Sequence, residues 1–170
     1  DPRLNSVNAE ISLRMVTALA VAAGPAGMVG GQAIDMGSVS LKLDQQALEH
    51  MHRHKTGALI EAAVHLGALA SGRADAAQLA SLQTYSQAIG LAFQVQDDIL
   101  DVESDTATLG KRQGADAARD KPTYPALLGL EAAKAYALEL RDQALNALRP
   151  FDAAAEPLRD LARYIVERRH

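Results

Sequence analysis

The sequence contains no cysteine and no tryptophan, and aromatic residues make up only 4% of it. Without cysteine, the chain can form no disulfide, no thiolate metal site and no cysteine nucleophile. The absence of cysteine fits a reducing compartment, and we therefore expect a cytoplasmic protein.

The chain also lacks a strong excess of one charge and a long apolar run. Its 17 Lys and Arg against 21 Asp and Glu give a net charge of −4, which argues against a nucleic-acid partner because phosphate-binding surfaces are basic. The longest largely apolar stretch, Val16–Ala23, is shorter than the ~20 residues that cross a bilayer, so we expect no membrane span.

The chain begins at Asp1 rather than at Met, and we expect a processed N-terminus or a piece of a longer protein.

Alanine and leucine are abundant, with 34 and 23 residues in a chain of 170. Because these are the two best helix formers, the composition predicts an all-α fold in a chain of one domain's size. Asn8 and Asp44 are expected to cap helices. The pattern predicts an antiparallel bundle of six or seven helices, with a loop over 103–122. The expected helices cover 9–23, 26–36, 44–70 with an interruption at Lys55-Thr56-Gly57, 76–102, 123–149 and 154–168.

A stripe of polar residues follows one face of the predicted fourth helix. Gln94, Asp97, Asp98 and Asp101 stand at i, i+3, i+4 and i+7, a spacing that places them on one side of a helix. The remaining positions are apolar, so we expect a buried helix whose stripe lines an internal cavity. Clustered carboxylates need cations, and hard oxygen ligands suit Mg²⁺. The alternative is a solvated acidic helix end.

Three lysines could face these carboxylates across the expected cavity. Lys55 interrupts a helix, whereas Lys111 and Lys121 lie in the predicted loop. Together with Mg²⁺, their ammonium groups would bind a diphosphate. None of them follows the spacing of a Walker A loop. Taken singly, each lysine has a surface position as its simpler explanation.

Two further segments leave alternatives open. His50 and His54 are four residues apart, the spacing of metal ligands on a helix, but no third ligand is evident, and we favour a solvated cluster over a zinc site. Polar residues also enter the glycine-rich stretch 30–35, which ends at Asp35. That stretch predicts either a close helix crossing or a second part of a site.

Five motifs, taken together, resemble those of the trans-isoprenyl diphosphate synthases, also called polyprenyl synthetases. The segment 90–101 resembles the second aspartate-rich motif of this family, and the accompanying motifs follow in the family's order. The likeness covers nearly the whole chain, and bacterial farnesyl diphosphate synthases are the most similar members. The accompanying motifs are 31–35, 54–57, 109–116 and 121–125.

The resemblance implies an isoprenoid synthase fold and a prenyl transfer. In the family, Mg²⁺ ions bind between an allylic diphosphate (dimethylallyl or geranyl) and two aspartate-rich motifs. We expect Mg²⁺ here, with Mn²⁺ as the alternative metal. The diphosphate leaves, the double bond of isopentenyl diphosphate attacks the allylic cation, and a proton is lost. A short-chain product, farnesyl diphosphate, is expected.

Carried over to this chain, the resemblance assigns a role to each motif residue. Asp97, Asp98 and Asp101 would form the metal motif. Lys55, Lys111 and Lys121 would bind the allylic diphosphate. Thr56 and Gln94 would lie near the cation, so the expected catalytic residues are Lys55, Thr56 and Gln94.

The family uses two aspartate-rich motifs, and only the second, at Asp97 to Asp101, is present in this sequence. We therefore expect residues 1–170 to be the C-terminal portion of one isoprenoid synthase domain, to hold half of the site and to be inactive alone. The resemblance also implies a homodimer.

A catalytically silent helical subunit of the same fold is the alternative function, although retention of the carboxylates and lysines counts against it. A terpene cyclase of similar fold is disfavoured because the lysine and glutamine motifs match the chain-elongating family.

Overall fold

The computed structural model describes residues 8–38, 41, 43–108 and 122–168, with 105–108 described by their backbone alone. Within these residues the secondary structure is helical throughout, without a strand. A π turn at Arg53–Gly57 joins α3 and α4 into one helical run, so the described part of the chain forms seven helical runs. The helices are α1 Ala9–Ala23, α2 Met28–Gly37, α3 Gln45–His52, α4 Ala58–Ser71, α5 Ala76–Thr108, α6 Tyr124–Leu128, α7 Leu130–Ala147 and α8 Glu156–Glu167. The predicted all-α bundle is confirmed.

Side-chain caps define several helix starts. Asn8 Oδ1 accepts a hydrogen bond from the Ile11 amide at 2.8 Å, and Asp44 Oδ1 accepts one from the Ala47 amide at 2.8 Å. Each bond satisfies one of the first-turn N–H groups that a helix leaves without a partner. Both N-caps expected from the sequence are therefore confirmed.

The core is built around α5, a helix of 33 residues. Tyr85, Leu91, Val95 and Ile99 on α5 are almost completely buried. Against this helix packs α7, whose buried positions are mostly alanine and allow a close approach. These α7 residues are Ala133, Ala137, Leu140 and Ala144.

A buried tyrosine joins α5 to α8. The Tyr85 hydroxyl donates a 2.8 Å hydrogen bond to the Leu158 carbonyl, and burial raises the pKa of Tyr85 to about 12. We expect Tyr85→Phe to lower the free energy of unfolding by about 1 kcal/mol, because one buried hydrogen bond is lost without a change of shape. Urea denaturation of the full-length gene product measures this change, and an unaltered midpoint would contradict it.

Two predicted boundaries are wrong. The chain expected to be one helix over 123–149 is divided at Gly129, which has a φ of +86° and ends α6 before α7 begins. The loop predicted from 103 is also too long, since α5 continues to Thr108. The positive φ of Gly129 suits glycine, because no Cβ is present to clash. The interruption predicted at Lys55-Thr56-Gly57 is present as a π turn rather than as a break.

The two N-terminal helices carry an exposed apolar surface. No residue of α1 is buried, and Leu13 and Val16 are 67% and 65% exposed. By length and composition, Ala9–Gly37 could cross a membrane, because an 18-residue window within it has a mean hydropathy of 1.4. The shorter run Val16–Ala23 did not indicate this. In the structure this segment is divided into helices of 15 and 10 residues, each shorter than the ~20 residues needed.

Candidate active site

A close crossing of α5 and the π turn that precedes α4 brings two predicted site residues together. A Cβ added at Gly90 would lie 3.2 Å from the Gly57 Cα, so two glycines allow the helix backbones to meet. One turn away, the Thr56 hydroxyl donates to Gln94 Oε1 at 3.2 Å. The structure therefore joins Thr56 and Gln94, which are 38 residues apart in the sequence.

The third predicted catalytic residue, Lys55, is held by α2. Its Nζ donates to Asp35 Oδ2 at 2.5 Å, and the two side chains are only 30% and 20% exposed. A Cβ added at Gly31 would lie 2.1 Å from the backbone nitrogen of Lys55, so the two backbones are in close contact. The glycine-rich stretch is thus a close helix crossing, one of its two predicted explanations, and it also supplies a carboxylate to the predicted diphosphate-binding lysine.

The three carboxylates of the predicted metal motif have different surroundings. Asp97 is 48% exposed at its side chain, and Asp101 is also exposed. Asp98 is only 8% exposed, and its Oδ2 accepts a 3.1 Å hydrogen bond from the Tyr124 amide. Among the described residues, no three His, Asp or Glu side chains form a group that could hold a metal ion. The metal roles of these aspartates stay predictions.

Arg168, near the end of the chain, lies beside the first of these carboxylates. Its Nη2 donates to Asp97 Oδ1 at 3.1 Å, and its guanidinium carbon lies 4.5 Å from the centroid of the Phe93 ring. Gln96 Nε2 donates to the Arg168 carbonyl at 3.2 Å. The sequence did not indicate a role for Arg168, because nothing in the local pattern links positions 71 residues apart.

A buried aromatic group lies behind the carboxylates. The Tyr124 ring is 5.7 Å from the His52 ring and 6.0 Å from the Tyr136 ring, measured between centroids. Burial raises the pKa of Tyr124, and the charges of Glu49 and Asp98 raise it further. The Tyr136 hydroxyl donates to Glu49 Oε1 at 2.7 Å. This packing fixes the start of α6 against α3 and α7.

The histidine pair considered for zinc makes contacts within its own helix. The His50 and His54 rings are 4.3 Å apart between centroids, and His54 Nδ1 lies 2.8 Å from the His50 carbonyl oxygen. These contacts give each histidine a neighbour on the helix surface, in line with the solvated cluster that the sequence favoured.

The cavity expected beside the polar stripe of α5 stays a prediction. A cavity of about 690 Å³ lies between α1, α4 and α5, and none of the predicted site residues lines it. Its polar lining includes Glu61, which accepts a 2.8 Å hydrogen bond from Gln83. The predicted substrate-binding residues Lys111 and Lys121 lie outside the described residues.

Comparison with known proteins decides the family. The model of the polyprenyl synthetases matches residues 6–156, which is most of the chain. The chain belongs to the polyprenyl synthetase family. The family resemblance carried by the five motifs is therefore confirmed.

Comparison with individual polyprenyl synthetases shows what fraction of each relative this chain covers. The chain is 51% identical to the farnesyl diphosphate synthase of Escherichia coli (strain K12), over 99% of the chain and 57% of that protein. A structure of an FPP/GFPP synthase from Zymomonas mobilis is similar with a TM-score of 0.81 and 38% identity, over 93% of the chain and 52% of that structure. The chain thus spans little more than half the length of these relatives.

A third relative carries ligands. The geranyltransferase of Helicobacter pylori, in a structure complexed with magnesium and isoprenyl diphosphate, has a TM-score of 0.75 and 34% identity. The match covers 94% of this chain and 52% of that structure. These similarities confirm the isoprenoid synthase type of the all-α fold for this polyprenyl synthetase.

Proposed function

We propose that this chain is the C-terminal portion of an isoprenoid synthase domain, in a Mg²⁺-dependent prenyltransferase that makes a short-chain isoprenyl diphosphate. The observation that carries this proposal is the meeting of family motif residues at one helix crossing. Thr56 contacts Gln94, Lys55 adjoins Thr56 in the π turn, and Asp97 follows Gln94 by one turn of α5. These residues come from two separate motifs.

The carboxylates near this crossing suit a divalent metal in their donor chemistry. Asp97 and Asp101 are one turn apart on α5, and both are accessible. Mg²⁺ prefers oxygen ligands and commonly takes one or two carboxylates together with substrate phosphates. Asp97 and Asp101 would hold the metal, and the diphosphate would supply further oxygens. When bound, Mg²⁺ would neutralise the negative charge that develops on the leaving diphosphate.

The chain's own residues would stabilise both products of ionisation. The C–O bond of the allylic diphosphate breaks, which leaves an allylic cation and inorganic diphosphate. The ammonium of Lys55, fixed by Asp35, would bind the departing diphosphate. The oxygens of Thr56 and Gln94 would face the cation. The double bond of isopentenyl diphosphate then forms the new C–C bond, and a proton is lost to restore neutrality.

The relatives support the proposed substrates and product. The similar proteins include a farnesyl diphosphate synthase and a dimethylallyltranstransferase from Fischerella ambigua. We propose dimethylallyl or geranyl diphosphate as the allylic substrate, isopentenyl diphosphate as the second substrate, and farnesyl diphosphate as the product. We also propose a cytoplasmic homodimer, in which the exposed apolar side chains of α1 would be covered.

The test is a product assay on the full-length gene product, after its intact mass has been measured. With Mg²⁺, geranyl diphosphate and isopentenyl diphosphate, we expect farnesyl diphosphate and inorganic diphosphate in equal amounts. Chelation with EDTA should abolish turnover, because the diphosphate would lose its main counter-charge, and excess Mg²⁺ should restore it. The 170-residue chain alone is the control and is expected to be inactive.

Two other outcomes would point to the alternatives. Consumption of geranyl diphosphate without isopentenyl diphosphate would indicate a terpene cyclase. A silent subunit would show neither turnover nor Mg²⁺-dependent binding of a diphosphate analogue. In the proposed enzyme that binding is present, and Asp97→Ala removes it.

A further inference from the structure

A carboxylate on α4 binds two side-chain amides of α5. Gln83 Nε2 donates to Glu61 Oε1 at 2.8 Å, and Gln87 Nε2 donates to the two Glu61 oxygens at 3.4 and 3.3 Å. Gln83 and Gln87 are four residues apart, so they lie on the same face of α5. Hydrogen bonds to a carboxylate are roughly twice as strong as those between neutral groups. These three residues, which we call the Glu61 clamp, therefore hold α4 directly against α5.

The Glu61 clamp is one of three contacts that follow each other along this helix pair. Residue numbers rise on the side of α4 as they fall on α5, as they do between antiparallel helices. The contacts join Thr56 with Gln94, Gly57 with Gly90, and Glu61 with Gln87. Along α5, the clamp is about 10 Å, or about two turns, from the contact between the two predicted site residues.

The two contacts nearer the site restrain the helices less than the clamp does. At Gly57 and Gly90 the backbones meet closely, but an apolar contact has no preferred direction. The bond between Thr56 and Gln94 is a single neutral hydrogen bond of 3.2 Å, and such a bond contributes modestly to stability. Of the three contacts, the Glu61 clamp therefore supplies the strongest directional restraint on how α4 lies along α5.

The clamp residues lie outside the five motifs that carry the family resemblance. The motif 54–57 ends before Glu61, and the motif 90–101 begins after Gln87. Glu61 and Gln83 line the cavity between α1, α4 and α5, which contains none of the predicted site residues. Any effect of Glu61 on the reaction must therefore pass through the residues that its helix aligns.

We propose that Glu61 is a positioning residue, whose hydrogen bonds to Gln83 and Gln87 align α4 with α5 and so keep Thr56 in contact with Gln94. This inference rests on the proposed function, in which the oxygens of Thr56 and Gln94 face the allylic cation. It goes beyond that function by giving a task in the reaction to a residue outside the site. Without the clamp the two helices would slip, and these oxygens would separate.

The experiment is a double-mutant cycle in the full-length gene product. Glu61→Ala removes the clamp, Thr56→Val removes the hydroxyl that the clamp positions, and the combined variant shows whether the two act together. Glu61→Gln is the conservative variant, because its amide oxygen still accepts hydrogen bonds. Tyr85→Phe is the matched control, because it also removes a hydrogen bond of α5, but one made to α8.

Two properties are measured in each variant. One is kcat for the condensation of geranyl diphosphate with isopentenyl diphosphate. The other is the proximity of the Thr56 methyl group to the Gln94 side-chain amide, read from the nuclear Overhauser effect between them. The second measurement does not depend on activity.

We expect Glu61→Ala to lower kcat about tenfold, because small displacements of catalytic groups have effects of at least this size. In the Thr56→Val background, the same substitution should lower kcat by less than about twofold. Glu61→Gln should keep kcat within about threefold of the unsubstituted protein, and Tyr85→Phe within about twofold. The Overhauser effect should disappear in Glu61→Ala and persist in Tyr85→Phe.

Any of three results would overturn the inference. The first is a loss of kcat from Glu61→Ala that is absent, or that is equally large in the Thr56→Val background. The second is an equal loss in Glu61→Gln and Glu61→Ala, which would mean that the charge itself acts on the reaction. The third is an unchanged Overhauser effect in Glu61→Ala. If the unsubstituted protein has no turnover, the proposed function is wrong, and the Overhauser effect by itself then decides whether Glu61 positions Thr56.

Discussion

Gly31→Ala is expected to destabilise the protein by about 3 kcal/mol, the upper part of the usual range for overpacking. The added Cβ would lie 2.1 Å from the Lys55 nitrogen, 2.5 Å from the Lys55 Cα and 2.7 Å from the His54 carbonyl carbon. All three are backbone atoms, so no side-chain rotation can relieve the clash. The only relief is to move α2 away from the π turn, which also weakens the ion pair between Asp35 and Lys55.

The matched control is Gly37→Ala at the other end of α2. An added Cβ there meets no atom within 4 Å, and we expect a gain of about 0.5 kcal/mol from the reduced freedom of the unfolded chain. Urea denaturation of the full-length gene product measures both variants. Equal midpoints for the two variants would show that the close crossing of α2 and the π turn is absent in solution.

Lys55→Gln is expected to lower kcat/KM about 100- to 1,000-fold, the usual effect of removing one group that stabilises developing charge. The proposed role of Lys55 is to bind the leaving diphosphate, and glutamine cannot supply a positive charge. The loss should lie mainly in kcat, because charge on the diphosphate grows as the C–O bond breaks. Incorporation of labelled isopentenyl diphosphate measures the effect.

The control for this variant is Lys134→Gln on α7. Lys134 is 40% exposed and pairs with Glu103 at 2.9 Å, as a surface ion pair does. We expect kcat/KM to stay within about twofold, because such pairs contribute little. Comparable losses in the two variants would indicate a general effect of net charge rather than a role for Lys55 in the site.

Most of the helices could be predicted from the sequence because their signals are local. Alanine and leucine content, together with the capping side chains of Asn8 and Asp44, placed the first helices within about two residues. The division at Gly129 was missed because glycine inside a helical pattern is compatible with either continuation or a turn. The extension of α5 to Thr108 was missed because Asp and Thr favour loops without excluding helix.

The contacts among the predicted site residues could be predicted only in part. Motif spacing and resemblance identified Lys55, Thr56 and Gln94, and the structure brings the last two into contact. The ion pair of Lys55 with Asp35 and the contact of Arg168 with Asp97 join residues 20 and 71 positions apart. Such pairs depend on how helices pack, and no periodicity within a helix encodes them.

The π turn at Arg53–Gly57 sets the rotational register of everything that follows it on α4. A residue in an α-helix advances about 100° around the axis, so a deletion that returned this turn to a regular α-helix would rotate α4 by about that angle relative to α3. Glu61 would then leave Gln83, from which it accepts a 2.8 Å hydrogen bond, and Thr56 would leave Gln94. Chain length at this turn is therefore as tightly constrained as residue identity. An insertion or deletion of one residue here would break these contacts with α5, although every site side chain would still be present.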